Sequence, residues 1–124
     1  MDIDIVEQRL REAIKKRQDE GVMVLNSRMA IKLSRSSQRN VRRGGLWEPR
    51  YPKDPLCLLG ALGVRVDKLE SRTQASNLLG VQDSELEILE AGFEDWHESY
   101  TDTPLWRLGR KIAKELEDKI GAIA

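Results

Sequence analysis

The sequence predicts a mainly α-helical single domain, a small bundle of four to six helices that spans residues 1–124. Apolar residues recur at helical spacing along much of the chain, and capping pairs such as Asp54-Pro55 and Thr103-Pro104 precede apolar runs. A chain of 124 residues also suits one domain with a real core. Aromatic residues make up only 5% of the chain, so we expect a core of Leu, Ile, Val and Ala.

Residues 2–20 are predicted to form the first helix, which ends at Gly21. The next segment, 22–33, has two interpretations. Its apolar run Val-Met-Val-Leu suits a short buried strand, whereas Asn26 or Ser27 suits the N-cap of another helix. We favour the helix and leave a short β element near 22–33 open. The apolar stripe of the first helix consists of Ile3, Val6, Leu10 and Ile14.

A fully apolar helix is predicted to begin at Asp54 and to lie at the centre of the core. Asp54 is a good N-cap, and Pro55 takes the first helical position, where proline is best tolerated. Residues 56–62 are apolar all round, which indicates burial. Because Gly60 weakens a helix, we expect another backbone to pass close to it, and Gly63 ends the helix.

Three further helices are predicted towards the C-terminus. The first runs from Ser71, as its cap, to Gly80, and the second is capped by Asp83 or Ser84. This pair is spaced like a helix-turn-helix, but the second helix is acidic and would repel DNA phosphates, so we favour a helical hairpin in the core. A Thr-Pro pair at 103–104 opens the last helix. Its apolar stripe consists of Leu105, Leu108, Ile112, Leu116 and Ile120.

Four short motifs occur in order between residues 54 and 116. They are Cys57-Leu-Leu-Gly60-Ala61-Leu62, Leu78-Leu79-Gly80-Val81, Gly92-Phe93-Glu94-Asp95 and Leu108-Gly109-Arg110-Lys111-Ile112-Ala113. In these motifs the chain resembles a group of small bacterial and phage proteins that carry a Cys-x-x-Gly-Ala-Leu helix, a Leu-Gly turn and a Gly-Phe-Asp or Asn-Asp element before a closing helix. The chain departs from the group at Glu94, where Asp is more usual. Because the group has no assigned activity, the resemblance implies a helical fold and no function.

Charges are segregated along the chain although the net charge is zero. Basic residues dominate 21–53, which includes a predicted loop at about 34–53 with Ser, Asn, paired Gly and two Pro. Carboxylates dominate 54–106. The two blocks can pair with each other, within or between subunits, or the basic block can meet an anionic partner. We favour pairing of the two blocks.

The basic loop is the best candidate for a binding surface. Arginine next to aromatic planes is the usual chemistry for binding phosphates and stacking bases. In the alternative interpretation, Trp47 and Tyr51 fold back on the core while the arginines pair with the acidic helix. The candidate ligand-binding residues are Arg42, Arg43, Trp47, Arg50, Tyr51 and Lys53.

Cys57 and His97 are the only thiol and the only imidazole of the chain. A cysteine in the first turn of a helix is favoured as the thiolate, and a nearby imidazole would complete a nucleophile–base pair. However, a cysteine surrounded by leucines is usually a small core residue. We therefore regard catalysis as the remote interpretation, and we expect no metal site and no cofactor, since one cysteine and one histidine cannot build a zinc site.

These observations together favour a small non-enzymatic interaction or accessory module that associates with itself or with another protein. A homodimer would let the basic loop of one subunit meet the acidic helix of the other. The alternative is a binder of nucleic acid or of a phosphorylated small ligand. We expect a cytoplasmic location, because the chain has one cysteine, no secretory signal and no segment of about 20 apolar residues that could span a membrane.

Overall fold

The computed structural model describes residues 1–29, 41–43, 46–48, 55–96 and 101–123 of the chain. The predicted mainly α fold is confirmed, since helices account for most of these residues. A helical turn covers 27–29 in addition to the elements with full bounds. The helices are α1 (Ile3–Asp19), α2 (Leu58–Ala61), α3 (Glu70–Leu79), α4 (Asp83–Phe93) and α5 (Pro104–Ile123), and the strands are β1 (Val41–Arg43) and β2 (Leu46–Glu48).

Helix α1 forms as its sequence predicts. Asp2 is the N-cap, and its Oδ1 accepts a hydrogen bond from the amide of Asp4 at 3.0 Å. The chain leaves the helix through Gly21, whose φ of 82° is accessible to glycine at little cost. One stripe of the helix is buried against the rest of the core, and this stripe contains Val6, Leu10 and Ile14.

Each interpretation of the segment after α1 is met in part within its described residues, 22–29. Val24 forms a parallel β-bridge with Leu56, in which the Leu56 amide donates to the Met23 carbonyl and the Leu25 amide donates to the Leu56 carbonyl, both at 2.9 Å. Asn26 then caps the helical turn at 27–29, because its Oδ1 accepts from the amide of Met29 at 3.1 Å.

The predicted helix start at Asp54-Pro55 is wrong for the described residues. Pro55 is buried in extended chain, and α2 begins only at Leu58. The bridge explains the difference, because the backbone groups of Leu56 bond to the segment after α1 and cannot start a helix. Cys57 is therefore the N-cap, and its Sγ accepts from the amide of Gly60 at 3.4 Å.

The backbone contact expected at Gly60 occurs instead between α4 and α5. A Cβ at Gly60 would meet only side-chain atoms, the nearest being Cδ2 of Leu56 at 3.4 Å. A Cβ at Gly92 would overlap the carbonyl oxygen of Trp106, and one at Gly109 would overlap the carbonyl oxygen of Leu89. The two glycines thus allow α4 and α5, which share the largest helix contact, to touch backbone to backbone.

The remaining helix ends follow the predictions with small shifts. Gly80 ends α3 with φ 74°, and α5 begins at Pro104 after Thr103, whose Oγ1 accepts from the amide of Trp106 at 3.3 Å. The N-cap of α4 is Gln82, one residue before the expected position, and it forms a capping box with Glu85. Helices α3 and α4 form the expected hairpin in the core.

Ser71 does not cap α3 as predicted. It lies inside the helix, where its buried hydroxyl accepts from the Arg65 amide at 2.9 Å and donates to the Lys68 carbonyl at 2.6 Å. The hydroxyl therefore stabilises the turn that precedes α3 and does not cap the helix.

Candidate functional site

The basic segment contains a β-hairpin within the span predicted to be a loop. Strands β1 and β2 pair antiparallel, with Arg42 opposite Trp47 and Arg43 opposite Leu46. Two residues, Gly-Gly, separate the strands, and such a pair between two short runs is a known hairpin signal that could have predicted this turn. Strand β2 contacts α2, so the hairpin is anchored to the core.

The hairpin brings three of the six candidate binding residues into one small element. They are Arg42 and Arg43 in β1 and Trp47 in β2. The other three, Arg50, Tyr51 and Lys53, lie outside the described residues. The register of the backbone pairs Arg42 with Trp47, and a binding role for these residues stays a prediction.

Cys57 lies in the hydrophobic core. It is 2% exposed, and its sulfur accepts the Gly60 amide as the N-cap of α2. His97 lies outside the described residues, so the predicted nucleophile–base pair stays a prediction. The burial of Cys57 and its cap hydrogen bond favour the structural interpretation.

We expect the Cys57 thiol to be inert in the native protein. Burial by the surrounding core should make its reaction with a thiol-specific disulfide reagent at least about 100-fold slower than in the urea-unfolded chain, because attack requires an opened state. The absorbance of the released thiolate, followed in native buffer and in urea, measures both rates. A native thiol that reacts as fast as the unfolded one would contradict this assignment and revive the cysteine nucleophile.

The carboxylates of α4 and of the two residues after Phe93 are engaged within the chain. Asp83 accepts from Thr73 at 3.1 Å, and Glu85 accepts from the Gln82 amide at 2.8 Å. The ion pairs are Arg72 with Glu87 at 3.8 Å, Arg72 with Glu90 at 3.9 Å and Arg110 with Asp95 at 3.4 Å. The acidic helix therefore does not present a set of unengaged carboxylates to a second subunit.

Glu94 contacts a distant segment of the chain. Its carboxylate accepts from the Ser27 amide at 2.8 Å and from the Ser27 hydroxyl at 2.9 Å. It thereby binds the start of the helical turn at 27–29, where the chain has donors that the turn itself does not satisfy. Nearby, Nδ2 of Asn26 donates to Oε1 of Glu117 at 2.6 Å. No sequence signal links these residues, because 67 positions separate Ser27 from Glu94.

An ion-pair network joins α1 to α5 on the surface. Arg11 bonds to Glu115 at 2.8 Å and to Glu7 at 2.8 Å, and Lys111 reaches Glu7 at 3.3 Å. The hydrogen bond from Arg11 is the main cause that lowers the pKa of Glu7, with a smaller effect from Lys111, and the same guanidinium lowers the pKa of Glu115. A groove of about 310 Å³ lies beside this network, and its lining includes Arg11, Ile14 and Glu115.

This network should make stability depend on pH below the ordinary carboxyl range. The folded-state pKa values of Glu7 and Glu115 lie below the unfolded value of 4.5, so their contribution is present above pH 4.5 and is lost as the pH falls through the folded values. Each exposed pair contributes less than about 1 kcal/mol. Urea unfolding between pH 7 and pH 3 measures the free energy of unfolding, and in Arg11→Ala this free energy should depend less steeply on pH than in the wild type. The control is Lys15→Ala, which removes the separate pair with Asp19 and should leave the pH profile unchanged.

The chain matches no protein-family model, and no curated protein or solved structure is similar to it. The resemblance over residues 54–116 therefore stays a prediction.

In the part of the chain that the structure describes, no helix is both long and apolar enough to cross a membrane. Nor do three histidine, cysteine or carboxylate side chains come together there as a metal site would require.

Proposed function

We propose that the protein is a small non-enzymatic interaction module that associates with itself. The observation that supports this proposal is a set of large apolar side chains that the fold leaves exposed. An apolar side chain in water gains free energy when a partner covers it. These side chains are Met1, Ile5, Met23, Val66, Leu69, Leu78 and Trp96.

Self-association should be apolar in character. The predicted dimer relied on a basic loop that meets the acidic helix of the other subunit, but the carboxylates around α4 already have partners within the chain. Contacts of opposite charge weaken with salt, whereas apolar contacts persist or strengthen. The two modes of association are therefore distinguishable by their salt dependence.

Sedimentation equilibrium over a wide range of protein concentration tests self-association. We expect the mean mass to rise from the monomer value towards that of a dimer, and we expect the dimer to persist in 0.5 M salt. A strict monomer at millimolar concentration in both buffers would overturn the proposal. A dimer that dissociates as salt increases would restore the charge-driven mode of association.

A second candidate function is binding of an anionic ligand, either nucleic acid or a phosphorylated small molecule, by the hairpin. It is favoured by the register that sets Arg42 opposite Trp47. Titration of a fluorescein-labelled single-stranded oligonucleotide, and separately of pyrophosphate, tests it. Affinity should fall steeply with salt and be lost in Arg42→Glu, Arg43→Glu. The double variant Arg107→Glu, Lys114→Glu makes the same charge change on α5 and should retain binding.

We also propose a cytoplasmic location. The one cysteine is held as a buried thiol that caps a helix, which suits a reducing compartment. Oxidation-sensitive reporter fusions, or fractionation of the cells that express the protein, would test this location.

A further inference from the structure

The turn that precedes α3, residues 65–69, is held rigid from inside the protein. The Lys68 amide donates to the Arg65 carbonyl at 3.2 Å, and the two residues form an isolated antiparallel bridge. The Ser71 hydroxyl, which is buried, bonds to both sides of the turn, to the Arg65 amide and to the Lys68 carbonyl. The conformation of the turn is therefore set before any partner binds.

This rigid turn displays apolar side chains to solvent. Leu69 is 91% exposed, the highest value of any large apolar side chain among the described residues, and Val66 in the turn is also exposed. Leu69 has helical backbone angles, φ −58° and ψ −37°, so its position is fixed relative to the first turn of α3. An apolar side chain that is held in water in this way gains free energy when a partner covers it.

The charges around Leu69 are balanced and alternate in sign. Arg65 pairs with Asp67 at 3.1 Å, and Leu69 lies between Lys68 and Glu70. A surface that attracts a strongly charged partner would carry one sign of charge. A balanced surface with opposite charges on either side of an apolar centre is instead complementary to itself when two copies meet antiparallel.

We propose that a second copy of the chain docks on this turn around a two-fold axis that passes near Leu69. In a two-fold interface, each contact between two different residues occurs twice. Leu69 then packs against Leu69 of the partner subunit, while Lys68 lies opposite Glu70 of the partner subunit, and Glu70 opposite Lys68 of the partner subunit. This inference rests on the proposed self-association and names its interface.

The small size of the turn sets the strength of the dimer. An interface built on a few side chains per subunit lies below the range of stable dimers, so association should be weak, with a Kd of about 10 μM or higher. Sedimentation equilibrium must therefore cover concentrations up to about 1 mM. The wild-type chain serves as the reference in every comparison.

The first test replaces the apolar centre. Leu69→Gln should weaken dimerisation at least about tenfold while the Tm stays unchanged, because the side chain is 91% exposed in the folded monomer. The control is Leu78→Gln, the same change at a 51% exposed leucine at the other end of α3, which should dimerise like the wild type. If the wild type associates and Leu69→Gln associates equally well, the interface is elsewhere and only the proposed function survives.

The second test reverses the flanking charges. Lys68→Glu alone and Glu70→Lys alone should each weaken dimerisation about tenfold, because two pairs of like charge then face each other. The double variant Lys68→Glu, Glu70→Lys should regain wild-type affinity. An equimolar mixture of the two single variants should also form a dimer, since each supplies the charges that the other lacks.

The outcomes separate the two proposals. A wild type that stays monomeric up to 1 mM overturns self-association and the interface together. Self-association that survives Leu69→Gln, or that the double variant and the mixed single variants fail to restore, overturns the two-fold interface alone.

Discussion

Replacing Gly92 or Gly109 with alanine is expected to destabilise the protein by about 3 kcal/mol or more. A Cβ at Gly92 would overlap the Trp106 carbonyl oxygen and lie 2.7 Å from its carbonyl carbon, and a Cβ at Gly109 would lie 2.7 Å from the Phe93 amide nitrogen. The obstructing atoms are backbone, so no rotamer change relieves the overlap. Helices α4 and α5 would have to separate, and they share the largest helix contact of the fold.

Gly60→Ala is the matched control for these two substitutions. It is also a helical glycine, but its Cβ would meet side-chain atoms at ordinary distances of 3.4 Å and more. Alanine favours a helix over glycine by about 1 kcal/mol, so the variant should equal or exceed the wild type in stability. Urea unfolding followed by far-ultraviolet circular dichroism measures all three. If Gly92→Ala and Gly109→Ala matched Gly60→Ala, the close backbone contact would be refuted.

Replacing Glu94 with alanine should cost about 2 kcal/mol of stability. The carboxylate accepts from both the amide and the hydroxyl of Ser27, and hydrogen bonds to a charged group contribute more than neutral ones. When the Glu94 carboxylate is removed, the buried amide of Ser27 at the start of the turn at 27–29 loses this acceptor. Glu94→Gln keeps one oxygen acceptor, so it should cost about half as much.

Glu87→Ala is the control for Glu94. Glu87 lies in α4, the helix that Glu94 follows, but its side chain is exposed and its pair with Arg72 is long, at 3.8 Å, so its loss should cost less than about 0.5 kcal/mol. A double-mutant cycle with Ser27→Ala isolates the hydroxyl contact, and we expect a coupling of about 1 kcal/mol. Equal losses for Glu94→Ala and Glu87→Ala would show that the contact with Ser27 contributes nothing.

The Gly-Phe-Glu-Asp motif acquires a physical explanation from these contacts. Gly92 admits the backbone of α5, and Phe93 is fully buried. Glu94 holds the turn at 27–29, and Asp95, with φ 60°, pairs with Arg110. Each residue of the motif therefore has a role in assembling the fold, and this favours a structural interpretation of the resemblance that the motif carries.

Local patterns were sufficient for the parts of the fold whose causes are local. The prediction agrees with the structure at the stop after α1 at Gly21, the end of α3 at Gly80 and the start of α5 at Thr103-Pro104. In each case the cap, the stop and the apolar spacing lie within a few residues of one another. The mainly α class follows from the same local signals.

A long-range contact overrode local preference at the predicted helix start. Asp54-Pro55 is a good start for a helix, yet the pairing of Leu56 with the segment after α1 holds Pro55 in extended chain and moves the helix start to Leu58. Ser71 looks like a cap in sequence, but its hydroxyl has two backbone partners in the preceding turn. Those partners lie only six and three residues earlier, so this second failure has a local cause, the hydrogen bonding of the preceding turn.

The candidate site was predicted in part. The basic segment with its arginines and tryptophan was recognised from composition, whereas the hairpin that sets Arg42 opposite Trp47 was missed although its Gly-Gly pair was visible. The exposed turn with Leu69 could not be found, because an apolar residue in sequence carries no sign of whether the fold will bury it. Exposure depends on what packs around a residue.

The sequence by itself therefore determined the helices, most of their ends and the apolar stripes that form the core, because periodicity and capping act over a few residues. Tertiary structure alone decided that the fully apolar helix is short and capped by Cys57, and that the close backbone contact lies at Gly92 and Gly109. It also decided that the acidic residues serve the fold and that Leu69 faces solvent. These features depend on which distant residues come together, and local spacing does not encode that pairing.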